Sequence, residues 1–303
     1  MQITIRPLPP FDFDLSAQIF SPGDERMQKY ESGIYWHAIW LKDHSALIQV
    51  SSSGSTNDPQ LDVEIGQLGA ISLSDKQEIE TLVNRLFNLR LDLMPFYEAV
   101  KTDRIMAQIT ERLWGIKSPS TATVFEALIN SVIEQQISLK AAWSMQRRLA
   151  VALGETLVCQ ARTYFIYPNP ERLATSSIDQ LRACGLSGRK AEYVQGISRL
   201  VTNGLNLEAL SERNDEEIIA ELSKIRGVGV WTAEMTMIRG MQKFDAMPTD
   251  DLGLRRIIAH YYHHGQKIMG EEARRTAQAW PGWRGLASFY LIMAEQLGIE
   301  VAY

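Results

Sequence analysis

The pattern of hydrophobic and polar residues changes near residue 75. Residues 34–41 and 45–51 are short runs rich in β-branched and aromatic side chains with polar residues between them, which predicts strands. Residues 51–59 are dominated by Ser, Gly, Asn, Asp and Pro, which predicts a loop. After residue 75 apolar positions recur at helical spacing, and no comparable strand pattern follows residue 100. The predicted fold class is α+β, with a small sheet domain followed by a larger all-α body.

Several residues in the second part are good helix boundaries. Thr121 or Thr123 is expected to begin an apolar helix, because threonine can accept hydrogen bonds from first-turn N–H groups. Ser138 is expected to cap the next helix, and Gly154 to end it. These signals indicate a helical body of several short segments.

Composition and charge narrow the class of protein. A chain of 303 residues with 45% hydrophobic and 22% charged residues is a globular protein of two or three domains. Cys159 and Cys184 are too few for a disulfide scaffold or an iron–sulfur cluster, and no apolar stretch is long enough to span a membrane. We therefore expect a cytoplasmic protein without membrane association. Residues 1–100 carry a net charge of −7 and residues 101–303 a net charge of +2, so a polyanion would meet the second part.

Residues 222–235 predict two helices joined by a glycine turn. Leu222 and Ile225 lie on one helical face, Gly227-Val228-Gly229 can form the turn, and a helix restarts near Thr232. Such a hairpin leaves N–H groups free at a helix N-terminus, where a DNA phosphate can bind. Taken alone, a glycine turn between two helices is more often only a tight αα-hairpin.

A pair of aspartates follows this hairpin. Pro248 ends the preceding helix, and Thr249 or Asp250 is expected to cap the next one. Asp250 and Asp251 can both be explained as cap and helix-dipole residues. A carboxylate beside bound DNA would be repelled by phosphates, so its presence there would indicate catalysis.

The hairpin and the aspartate pair together resemble the helix-hairpin-helix DNA glycosylases, and the branch they resemble is DNA-3-methyladenine glycosylase II. Residues 9–14, 185–191 and 280–284, and the 125–138 helix with Gln135 and Ser138, are similar to that branch, so the resemblance covers nearly the whole chain. It implies a TATA-binding-protein-like antiparallel-sheet domain at residues 1–90. A two-lobed all-α glycosylase body would occupy residues 91–303.

The resemblance implies a mechanism and an activity. Asp251 corresponds to the catalytic aspartate that acts after the damaged nucleotide is flipped out of double-stranded DNA. Bifunctional members carry a lysine at the position of Trp231, so this chain is expected to be monofunctional. The implied reaction is hydrolysis of the N-glycosidic bond of alkylated bases in base-excision repair.

The base pocket departs from the pattern of the branch. Met235 stands where that branch has a tyrosine, and Ile292 where it has a tryptophan, with Tyr290 as a possible substitute. The DNA-inserting leucine is replaced by Gln136. The range of lesions is therefore left open. The expected base-pocket residues are Trp231, Met235, Phe125, Tyr290 and Ile292.

The resemblance also implies partners and ligands. The expected DNA-binding residues are Gly227, Val228, Gly229, Thr232, Gln136, Arg189, Lys190 and Arg255. Backbone carbonyls of Gly227 and Gly229 could hold a Na⁺ or K⁺ ion, and no other cofactor is expected. The protein is expected to act as a monomer. Two alternatives remain open, namely a non-catalytic DNA-binding module and a glycosylase for oxidised or deaminated purines.

Overall fold

The N-terminal part is a five-stranded antiparallel sheet. The computed structural model describes residues 2–42, 44–66 and 72–302. The strand order is β1-β5-β4-β3-β2, with Ile3 opposite Val63 and Tyr35 opposite Val50. A short helix α1 and a 3₁₀ turn at Gln18–Phe20 precede the second strand. The elements are β1 (Gln2–Ile5), α1 (Phe13–Ala17), β2 (Gln28–Glu31), β3 (Ile34–Trp40), β4 (Ser45–Ser52) and β5 (Leu61–Gly66).

One face of this sheet is covered by helix α2 (Leu73–Leu86). Strand β5 alternates, so Leu61, Val63 and Ile65 are buried and their neighbours are not. The helix begins at Ser72, whose side chain accepts the N–H of Asp75, while the Asp75 carboxylate accepts the N–H of Ser72. Sheet and helix share one apolar core.

Two further cores lie in the helical body. One joins α3 and α4 to the last three helices of the chain, α13 to α15. Leu89 packs in the N-terminal core and Leu93 in this one, on either side of the boundary expected at residue 90. The helices are α3 (Met94–Val100), α4 (Arg104–Arg112), α13 (Leu252–Tyr262), α14 (Gly270–Thr276) and α15 (Arg284–Gln296), with a 3₁₀ turn at Ala277–Ala279.

The other core contains the helices between residues 124 and 241. Thr123 and Ser138 are N-caps, and Gly154 ends the second helix, as predicted. The first helix, α5, is buried along most of its length and packs against α12. The helices are α5 (Val124–Glu134), α6 (Leu139–Leu153), α7 (Pro170–Thr175), α8 (Ile178–Ala183), α9 (Gly188–Thr202), α10 (Leu207–Leu210), α11 (Asp215–Ser223) and α12 (Val230–Met241).

The expectation of an all-α body was wrong in one segment. Strands β6 (Thr156–Cys159) and β7 (Arg162–Phe165) form a two-stranded hairpin after α6. Its buried side chains pack with Ala38 and Leu47 of the N-terminal sheet. The strands are too short to show in the sequence pattern, and this tertiary contact stabilises them.

The predicted α+β class, a sheet followed by a helical body, is confirmed. Both cysteines are buried free thiols. Among the described residues no helix is both long enough and apolar enough to cross a membrane.

Candidate active site

The glycine turn between α11 and α12 has the predicted helix-hairpin-helix geometry. Leu222 and Val228 are buried and fix the two ends of the turn. Gly227 has a φ of +91°, and a side chain there would overlap the ring of Tyr193. Gly229 is the N-cap of α12 and offers no side-chain acceptor to the first-turn N–H groups. Because those N–H groups have no partner within the helix, they can receive an anion.

Asp251 is the N-cap of α13, which corrects the expectation that Thr249 or Asp250 would be the cap. Its Oδ1 accepts the N–H of Leu254 at 2.8 Å, and its backbone is extended, with φ −66° and ψ 123°. Thr249 is buried instead, and its hydroxyl accepts a hydrogen bond from Arg274 at 2.9 Å. The predicted catalytic carboxylate is therefore held at the positive end of a helix.

The structure brings Trp231 and Asp251 together. The indole Nε1 donates a hydrogen bond to Oδ2 of Asp251 at 3.1 Å, although the residues are 20 positions apart. Both lie in the first turn or at the cap of their helices, α12 and α13. Both side chains are partly exposed, so a ligand can approach them.

A second carboxyl group lies one helical turn after Trp231. Burial of Glu234, together with the nearby charge of Asp250, raises the pKa of Glu234 to about 7, and Arg274 and Arg284 oppose this shift. Sequence reasoning missed this residue. The sequence did contain one indication of its position: Glu234 lies three residues after Trp231, an expected pocket residue, and therefore on the same face of the helix.

Gln135 ties the end of α5 to the hairpin. Its Nε2 donates to the carbonyl of Gly227 at 2.8 Å and to Oγ1 of Thr232 at 2.9 Å. Thr232 is buried, so the part of it that can face DNA is its backbone N–H. The next residue, Gln136, is exposed and has a φ of +57°. The expected wedge residue therefore lies beside the hairpin.

The structure does not leave Lys190 free for DNA. Its Nζ donates to the carbonyls of Ile133 and Gln135, both at 2.7 Å, and so caps the C-terminus of α5. Burial lowers the pKa of Lys190. The neighbouring Arg189 is exposed. Arg255 is half-buried, and its Nε has no hydrogen-bond partner within the described part of the chain.

Two of the five expected pocket residues lie elsewhere. Phe125 is buried at the N-terminal end of α5, about 15 Å along the helix from Gln135. Tyr290 is fully buried, and its hydroxyl lies 3.0 Å from that of Tyr97 and donates to the carbonyl of Ile116. Tyr290 is therefore a core residue, whereas Phe125 lines a pocket at the end of α5 that is farther from the hairpin.

Of the remaining three, Trp231 lies beside Asp251, and Met235 and Ile292 are compatible with a pocket. Met235 is half-buried on α12, four positions after Trp231, and therefore on the same side of that helix. Ile292 is half-buried and packs against the core formed by α3, α4 and α13–α15.

The carbonyls of Gly227 and Gly229, which were expected to hold a monovalent cation, each accept a hydrogen bond. The Gly227 carbonyl accepts the amide of Gln135, and the Gly229 carbonyl accepts the N–H of Ala233 at 3.0 Å. A carbonyl oxygen has two lone pairs, so a Na⁺ or K⁺ ion at the hairpin stays a prediction. Among the described residues no cluster of three or more His, Cys, Asp or Glu side chains could hold a metal ion.

Several known proteins are similar to this chain in sequence and in fold. Residues 129–282 match the family described as HhH-GPD superfamily base excision DNA repair protein. A DNA-3-methyladenine glycosylase of Bacillus subtilis is 30% identical over 284 residues, covering 92% of this chain and 93% of the relative. DNA-3-methyladenine glycosylase 2 of Escherichia coli is 26% identical, covering 60% of this chain and 61% of that protein.

Solved structures support the same conclusion about the fold. The 3-methyladenine DNA glycosylase from Archaeoglobus fulgidus superimposes with a TM-score of 0.85 at 24% identity, covering 98% of this chain and 99% of that one. The Schizosaccharomyces pombe enzyme, solved in complex with abasic DNA, gives a TM-score of 0.58 at 24% identity, covering 69% of this chain and 100% of that one. The resemblance predicted from the sequence is thus confirmed, and the chain belongs to the HhH-GPD superfamily of base excision DNA repair proteins.

Proposed function

We propose that this chain is a monofunctional DNA glycosylase that excises alkylated bases of the 3-methyladenine type from duplex DNA. The observation that carries the proposal is the hydrogen bond between Trp231 and Asp251, at the start of two helices beside the glycine hairpin. The names of the relatives support the choice of substrate.

Duplex DNA would bind at the hairpin through its phosphates. The uncapped N-terminus of α12 presents N–H groups and the positive end of a helix dipole. Val230, the first residue of this helix, is 54% exposed, so the turn faces solvent. Such contacts position the protein without reading sequence, as a repair enzyme that searches for damage requires.

The carboxylate of Asp251 would act on the sugar of the flipped nucleotide. As the bond between C1′ and the base nitrogen breaks, its electron pair leaves with the base and positive charge develops on the sugar. A carboxylate close to C1′ stabilises that charge and can accept a proton from the water that attacks C1′. A cationic alkylated base leaves as a neutral molecule, so the reaction needs no acid for the leaving group and no cofactor.

Trp231 would hold the flipped base. An indole face attracts an electron-poor or cationic ring, which favours alkylated bases over normal ones. The indole nitrogen has no basic lone pair, so it cannot form the Schiff base of a lyase. We therefore propose that the product is an intact strand with an abasic site.

The test is base release from duplex DNA treated with a methylating agent. The protein should release free 3-methyladenine and leave alkali-labile sites without cutting the strand, and Asp251→Asn should bind DNA but release little base. Release of oxidised or deaminated purines instead would favour the alternative glycosylase. Duplex binding without release from any of these substrates would identify a binding module. Elution as a monomer on a sizing column would support the proposed monomeric state.

A further inference from the structure

Helix α6 has an exposed face that carries a tryptophan. Trp143 is 40% exposed and Leu139, four residues earlier, is 48% exposed. The opposite face is buried, with Ala142, Leu149 and Leu153 in the core. Lys140, three residues before Trp143, and Arg147, four residues after it, are also exposed and lie on the same side of the helix as Trp143. We name Leu139, Lys140, Trp143 and Arg147 the α6 face.

The α6 face is positively charged in an acidic protein. The helix contains Lys140, Arg147 and Arg148 and no acidic residue, whereas the whole chain has a net charge of −5. Arg147 lies 3.6 Å from the carboxylate of Asp24, which is already paired with Arg26 at 3.1 Å. The charge of Lys140 has no acidic partner among the described residues. A polyanion would complement this surface.

The α6 face continues the surface proposed to bind DNA. Helix α6 follows directly after Gln135 and Gln136, and Gln135 is bonded to Gly227 and Thr232 of the hairpin. Trp143 lies five residues along the helix from Ser138, a rise of about 8 Å. The α6 face therefore begins within a few residues of the contact between Gln135 and the hairpin.

We infer that the α6 face is a second DNA contact, which binds the duplex next to the flipped nucleotide. Lys140 would pair with a backbone phosphate, and the indole of Trp143 would stack on a base or sugar exposed beside the gap. The inference rests on the proposed function and extends it.

The test is the affinity for a duplex that contains a tetrahydrofuran abasic analogue, measured by fluorescence anisotropy. Trp143→Ala should weaken binding by about tenfold, because one lost aromatic stack costs about that much. Trp40→Ala, at an equally exposed position on β3, is the matched control and should bind like the unmodified protein. Trp143→Phe should restore most of the affinity, which separates stacking from a folding defect.

The charge contribution has its own measurement. Lys140→Gln should reduce the slope of log affinity against log salt by about 1, as expected for one phosphate contact. Lys101→Gln, at an exposed position paired with Glu98, should leave the slope unchanged.

The outcomes separate this inference from the proposed function. If the unmodified protein releases methylated bases while Trp143→Ala and Lys140→Gln bind as tightly as it does, the α6 contact is wrong and the glycosylase stands. If the unmodified protein neither binds the abasic duplex nor releases base, the proposed function itself fails.

Discussion

Trp231 and Asp251 are joined by a hydrogen bond of 3.1 Å from the indole Nε1 to carboxylate Oδ2. The other carboxylate oxygen, Oδ1, accepts the N–H of Leu254 and caps α13. These two bonds fix the orientation of the carboxylate. They therefore hold Asp251, proposed to act on the sugar, in contact with Trp231, proposed to stack on the base. The carboxylate also has a structural role, and substitutions can separate it from the chemical one.

Replacing Asp251 by asparagine and by alanine should separate these roles. Asparagine can keep the cap through its oxygen, but its NH₂ group cannot accept the N–H of Trp231, so Asp251→Asn should cost about 1 kcal/mol. Asp251→Ala loses the cap as well and should cost about 2 kcal/mol. Both should reduce base release at least 100-fold, because both remove the charge. Urea unfolding and single-turnover base release measure the two effects, and an active asparagine variant would contradict the assignment.

Substitutions of Trp231 should distinguish its ring from its hydrogen bond. Trp231→Phe keeps an aromatic face but loses the donor to Asp251, so it should retain more base release than Trp231→Ala. The alanine variant should lose about 10- to 100-fold, the range expected for one aromatic stack. Single-turnover release of 3-methyladenine is the measurement, with Trp40→Phe as an exposed control. Equal activity of both Trp231 variants would remove the ring from the mechanism.

The hairpin could be predicted because its signal is local: Gly227-Val228-Gly229 stands between two segments of helical pattern, and Gly227 has a φ of +91°. The role of Asp251 was predicted from the resemblance instead, because the local pattern placed the helix cap at Thr249 or Asp250. The carboxylate of Asp251 reaches Trp231 only through the tertiary arrangement of α12 and α13, so the hydrogen bond itself required the structure.

The sequence predictions differ from the structure at Tyr290 and Lys190, because side-chain direction and tertiary contacts decide where these two side chains lie. Tyr290 and Ile292 are two positions apart on α15, and a step of two residues turns the side chain to nearly the opposite face. Tyr290 therefore points into the core. Lys190 is basic and lies in a segment similar to the branch, but its Nζ donates to two carbonyls at the end of α5. Neither fact is visible in one-dimensional spacing.

Lys190 and Arg189 are adjacent cations with different predicted roles. Lys190→Gln should lower the free energy of unfolding by about 1–3 kcal/mol, because the carbonyls of Ile133 and Gln135 lose a charged donor. Arg189→Gln removes an exposed charge and should leave stability within about 0.5 kcal/mol. It should instead weaken DNA binding and lower its salt slope. Urea unfolding and salt-dependent anisotropy test the pair, and a stable Lys190→Gln with weakened binding would reverse the assignment.

The raised pKa of Glu234 should make the stability of the protein depend on pH. Its pKa is raised to about 7 in the folded protein by burial and by Asp250, whereas an unfolded glutamate titrates near 4.3. Between these values the folded state holds a proton that the unfolded state has lost. The contribution of Glu234 to the free energy of unfolding should therefore fall as the pH rises from about 4.5 to 7, and then stay level.

Glu234→Gln should flatten this fall, because glutamine does not titrate. Below about pH 6.5 the slope should then nearly vanish, because burial raises the pKa of Glu126 to about 7 but lowers the pKa of His37 to about 4, and these two contributions have opposite signs. Glu216→Gln, at an exposed position on α11, should keep the full slope of the unmodified protein. Urea unfolding of the three proteins at pH 5, 6, 7 and 8 provides the comparison. Parallel curves for the unmodified protein and Glu234→Gln would show that this carboxyl group is ionised in the folded state throughout, and that Arg274 and Arg284 outweigh its burial.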